Sequence, residues 1–171
     1  MPVSRNLMTL ALLLAISTPA LGQTLPPVAR AVSLEGPRFG FTSLTPGIVE
    51  RAKENHIEIR PVITQFGWQF EKRFYNSGTG LTAMNEWVVL LGGLEQGLAI
   101  PSLNWMVGLR TSEGAEFGLG PNLTPMGAAL ALAAGITFRA GAMNIPMNVA
   151  VVPSKDGVRV SMLSGFNFRR R

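Results

Sequence analysis

The chain has 171 residues, 47% of them hydrophobic and only 15% charged, against about a quarter charged in ordinary soluble domains. That length suits one domain with a sizeable core, but the charge is too sparse to coat such a domain comfortably in water. With no cysteine, a disulfide framework, thiol catalysis and Cys-based metal sites are excluded. The net charge of +5 at pH 7 is scattered through apolar segments, apart from Arg169-Arg170-Arg171. Nucleic-acid binding needs basic residues gathered on one face, so that partner is not expected.

At the start, Arg5 precedes an apolar run over residues 7–16, and Ala20-Leu21-Gly22 forms a small-x-small site before Gln23. This is the layout of a secretory signal peptide over residues 1–22. The run is about half the ~20 residues that a spanning helix needs. Residues 23–36 contain Pro26-Pro27 and no clear period, and read as a linker or lead-in. Residues 37–171 read as the folded domain.

A first strand is predicted over residues 38–42, with Phe39 and Phe41 alternating against Arg38, Gly40 and Thr42. Thr45-Pro46 looks like a helix cap with proline at the first helical position. Ile48, Val49 and Ala52 would line one side of a short helix ending near Asn55. Seven further strands follow, over residues 62–75, 81–91, 99–109, 115–124, 128–140, 143–152 and 158–168. Short turns join most of them, including Asn76-Ser77-Gly78, residues 111–114, Ala140-Gly141-Ala142 and residues 153–157.

The alternation has an unusual chemistry. Over residues 128–140, Leu130, Leu132, Ile136 and Phe138 share one face, and Ala129, Ala131, Ala133, Gly135, Thr137 and Arg139 the other. A soluble sheet would put Lys, Glu and Thr on its outer face, not Ala and Gly. By the same parity Arg38, Glu71, Arg73, Glu86, Arg110, Glu116, Arg139 and Arg159 all lie on the small-residue face. Gln65, Gln69, Asn104, Asn122 and Asn148 lie there too.

The fold class expected is all-β: an antiparallel eight-stranded up-and-down barrel with one short helix between strands 1 and 2. The eight charged residues would form a paired network in its lumen, where only modest side chains fit. Phe66, Trp68, Phe70, Trp87, Trp105, Phe117, Phe138, Phe166 and Phe168 would form aromatic belts on the outside. A soluble exported barrel that turns the bulky face inward around a lipid-like ligand is the alternative, located in the periplasm.

The export signal, the eight amphipathic strands and the ending Phe166-Asn167-Phe168 resemble the small bacterial outer-membrane β-barrels. The resemblance implies an outer-membrane location, membrane lipid around the barrel and insertion by the outer-membrane assembly machinery. Phe168 would hold the place of the terminal aromatic that this machinery reads, displaced from the chain end by Arg169, Arg170 and Arg171. The segments over residues 64–71 and 92–97 are similar to uncharacterised exported bacterial proteins and bring no activity with them.

Reactive chemistry is scarce. His56 is the only histidine and Asp156 the only aspartate, so a Ser-His-Asp triad would need both. The glycine-rich residues 92–97 lack the Lys-Ser/Thr ending of a phosphate loop. Glu71 and Glu86 could pair as acid and base, but Arg73 and Arg110 on the same face would keep both ionised. No metal spacing is present. The expectation is a non-enzymatic protein without cofactor, acting structurally or in envelope interactions.

Overall fold

The computed structural model describes residues 34–140 and 143–169. The expected signal peptide, most of the expected lead-in, Gly141, Ala142, Arg170 and Arg171 lie outside the described residues.

Eight antiparallel strands follow one another around a closed barrel. They are β1 (Leu34–Leu44), β2 (Val62–Asn76), β3 (Thr82–Gly92), β4 (Ile100–Arg110), β5 (Ala115–Thr124), β6 (Gly127–Ala140), β7 (Met143–Ser154) and β8 (Gly157–Gly165). β1 pairs with β2 on one side and β8 on the other, which leaves no sheet edge. A last short strand, β9 (Asn167–Arg169), continues β8 between β1 and β7. Arg38 faces Gly165 and Glu35 faces Phe168, three residues along each strand, so Phe166 interrupts the ladder without shifting it.

β1 starts at Leu34, inside the segment that the sequence reads as lead-in. Its first residues have a partner only because β9 comes round from the far end of the chain. One helix, α1 (Pro46–Glu54), lies between β1 and β2. Thr45 occupies its N-cap position but makes no side-chain cap there. Its hydroxyl accepts the Val158 backbone N–H at 2.9 Å instead, joining the helix start to β8.

The two faces of every strand separate as the period of two requires. Leu132 is 47% exposed and points outward, whereas its neighbour Ala131 is 1% exposed and points inward. The reading that put the bulky face around an internal lipid ligand is therefore corrected. The bulky face, with Phe117 63% and Leu119 56% exposed, lines the outside of the barrel rather than a ligand cavity. Small residues also make room for the few large ones inside. Gly108 and Gly118 face each other across β4 and β5. A Cβ on Gly108 would lie 3.3 Å from the Met84 methyl, and one on Gly118 would lie 3.5 Å from that of Met106.

Candidate functional site: the lumen and its mouth

The lower end of the barrel is taken as the one where β1 begins and β9 ends. In the lower lumen Arg110 sits among three carboxylates. It donates to both oxygens of Glu71 (2.7 and 2.5 Å) and to Glu116 (2.6 Å), and lies 3.9 Å from Glu86. Arg73 also donates to Glu71 at 2.9 Å, and the Thr137 hydroxyl donates to Glu116. Gln69 links the next layer: its amide donates to Glu86 (2.7 Å), and its oxygen accepts from Arg38 Nε (2.8 Å). Arg38 also donates to its neighbour's carbonyl, Pro37 O, at 2.9 Å.

Arg38, Glu71, Glu86, Arg110 and Glu116 are all buried. Fixed partners make that tolerable, because a buried charge without them is strongly destabilising. Of the eight charged residues expected in the lumen, six thus stand in one connected set. Arg159 lies apart, higher in the barrel, and its guanidinium reaches only Thr124 Oγ1, at 3.5 Å. The Arg139 side chain lies outside the described residues.

The upper lumen holds neutral polar groups. The Thr42 hydroxyl donates to Gln65 and sits 2.7 Å from Ser161 Oγ, and the Asn122 amide donates to Ser102 and Asn104. Above them the mouth is apolar. Leu44, Ile48, Ala52, Ile59 and Ile63 form a buried cluster, with Val49, Ile57, Leu98, Ile100 and Met126 against it. The spacing of Ile48 and Ala52 puts both on the underside of α1, so the helix lies across the mouth as a cap.

A 3₁₀ turn (Leu94–Gln96) ties down the rim of the mouth at the start of β2. Glu95 accepts the Thr64 amide at 3.1 Å and the Thr64 hydroxyl, and the Gln96 amide donates to Val62 O at 2.8 Å. The hydroxyl bond to Thr64 is the main reason that the Glu95 carboxyl is held down at a pKa of about 2. Between the cap and the charged set lies a partly open cavity of about 80 Å³, lined by Arg38, Arg159, Asn122 and Asn148 and, at the charged set, by Glu86.

The predicted aromatic residues Phe66, Trp68, Phe70, Trp87, Trp105, Phe117, Phe138 and Phe166 all point outward; the Phe168 side chain lies outside the described residues. They are not sorted into two rims. Trp87 and Trp105 are each the middle residue of an 11-residue strand, and they stack at 5.8 Å. Trp105 Nε1 donates to Asn85 Oδ1 at 2.7 Å, which satisfies its one polar atom on the outer face.

The candidate triad does not assemble. His56 is exposed just past the C-terminus of α1, with a backbone φ of 62°. The Asp156 carbonyl lies against Gly47 near the helix start. Nine helical residues separate the two by about 13 Å. Among the described residues no group of His, Asp and Glu is placed to hold a metal.

What sequence reading missed is the apolar content of the lumen. Met84, Val88, Leu90 and Met106 are buried on the same face as the charges. The clue was the weak alternation of β3, where both faces are apolar.

No family model matches the chain, and neither does any curated protein sequence. Among solved structures, Ail, the attachment invasion locus protein of Yersinia pestis, matches with a TM-score of 0.51 at 12% identity. The match covers 82% of this chain and 99% of that one. Ail in complex with the heparin analogue sucrose octasulfate matches at 10% identity and a TM-score of 0.49, with the same coverage. The outer membrane protein Ail in a phospholipid bilayer nanodisc matches at 13% identity and 0.49, covering 81% of this chain and 99% of that one. The likeness is one of fold: this chain is a small eight-stranded barrel like that of an outer-membrane protein.

Proposed function

We propose that the chain is an exported outer-membrane barrel without catalytic activity, with a structural or envelope-interaction role. One observation carries this reading: a closed barrel with large apolar side chains such as Phe117, Leu119 and Leu132 outside and Arg38, Glu71, Glu86, Arg110 and Glu116 buried within. Such a surface is stable in hydrocarbon and would aggregate in water. In this reading residues 1–22 are an export signal, removed before insertion. Membrane lipid surrounds the barrel, and the assembly machinery reads the aromatic residue Phe168 near its end.

The lumen residues Arg38, Glu71, Arg73, Glu86, Arg110 and Glu116 then serve to hold the strands together from inside, with Arg159 higher on the same face. The stacked Trp87 and Trp105 serve as lipid-facing mass. With its mouth capped by α1 and its lower lumen filled by paired charges, such a barrel is not an open pore, which favours interaction at the membrane surface over transport.

The test is fractionation of the expressed protein together with a gel of heated and unheated samples. The expected result is recovery with the outer membrane and a band that shifts only after boiling. Recovery in the soluble periplasm would overturn the reading.

A further inference from the structure

We propose that the cavity in the mid-lumen is a binding site for one small monovalent anion, of chloride to acetate size, together with its hydration water. Three separate observations meet there. First, the described lumen charges do not balance: Arg38, Arg73, Arg110 and Arg159 face Glu71, Glu86 and Glu116. All three carboxylates are engaged within the connected set around Arg110 and Gln69. Arg159 stands outside that set, with a single long bond to Thr124. One positive charge is thus left over, and it belongs to a residue that lines the cavity.

Second, the other end of the cavity offers donors and acceptors without partners. Arg38 is 2% exposed and Asn122 is 4% exposed. Arg38 Nη2 has no hydrogen-bond partner, nor do Asn122 Oδ1 and Asn148 Oδ1, and all three residues line the cavity. Buried groups of this kind are costly unless something bonds to them. An anion supplies an acceptor for the guanidinium groups, and its water supplies donors for the two amide oxygens. A cavity of about 80 Å³ has room for both, since one water needs about 10–15 Å³ of such space.

Third, the site has a way in. Arg159 also lines a narrow cleft beside α1, together with Ile48, Arg51, Thr124, Ser154 and Asp156. Its guanidinium therefore stands between the mouth and the chamber, where it meets an incoming anion before Arg38 does.

The test uses the full mature barrel, refolded in detergent. Its unfolding midpoint is measured in sodium chloride and in sodium gluconate at equal ionic strength, gluconate serving as the bulky reference anion. Chloride is expected to raise the midpoint saturably, with acetate acting likewise. Arg159→Gln is expected to abolish the difference while the heat-shifted band remains. Equal midpoints in chloride and gluconate for the wild-type barrel would overturn the proposal.

Crystals of the wild-type barrel soaked in bromide give a second reading that needs no variant. An anomalous peak between Arg38 and Arg159 is expected. A chamber holding water only, or bromide confined to the surface beside Arg51, would overturn the site. Neither outcome bears on the membrane location, which the fractionation decides on its own.

Discussion

The two halves of the lumen are closed by opposite kinds of chemistry. Below, Arg110, Glu71, Glu86 and Glu116 fill the space with charges whose partners come from β2, β3, β4 and β5. Above, Ile48 and Ala52 of α1 meet Leu44, Ile59 and Ile63 in an apolar seal. A charged set depends on each of its members, because removing one leaves the others buried and uncompensated. An apolar seal loses only the contacts of the atoms removed, and next to an open mouth it can relax. The lower half should therefore fail abruptly and the upper half by degrees.

The largest expected effect is at Arg110. Arg110→Leu leaves Glu71 and Glu116 without their main counter-charge and should cost about 3–5 kcal/mol, read as loss of the heat-resistant band. Adding Glu71→Gln and Glu116→Gln should restore much of the loss. If the single variant were as stable as the parent, the contrast between the halves would be wrong. In the cap, Ile48→Ala should cost about 2 kcal/mol, near the low end for a buried aliphatic side chain. It should free α1 to exchange its amides while the barrel keeps its boiled-to-unboiled shift.

Thr45→Val removes the acceptor for the Val158 amide and should cost about 1 kcal/mol, seen as faster hydrogen exchange at that amide. The smallest effect is at Glu95, on the fully exposed rim. Its carboxyl, normally near 4.5, is held at about 2 in the folded protein. The bond to Thr64 is thus fully present above about pH 4.5 and is lost as the pH falls through 2. Protection of the Thr64 amide should follow that course in the wild type and be weaker at every pH in Glu95→Gln.

Much of this barrel was legible in the sequence because a period of two is a local property. Leu130, Leu132, Ile136 and Phe138 declare their face without reference to any other strand. The helix was legible as well, through Thr45-Pro46 and the spacing of Ile48 and Ala52. Partners inside the lumen were not. Arg110 and Glu71 are 39 residues apart, and parity says that both point inward without saying at what height. Height depends on the stagger of the strands around the barrel, which no single strand encodes. For the same reason Arg159 could not be told from the other lumen arginines, although it is the one that stands outside the connected set.

The union of Thr45 with Val158 has a consequence for the order of assembly. These residues are 113 positions apart, one at the root of the first connection and the other at the start of the last strand. Gly157, at φ 137°, packs beside them where any Cβ would strike the Thr45 side chain. The β8 side of the seat of α1 therefore does not exist until β8 has come round to meet β1. Docking of the helix should be the final kinetic phase of folding, slower than hairpin formation and simultaneous with ring closure. A fluorophore at Arg51 would report the moment at which the circle is complete.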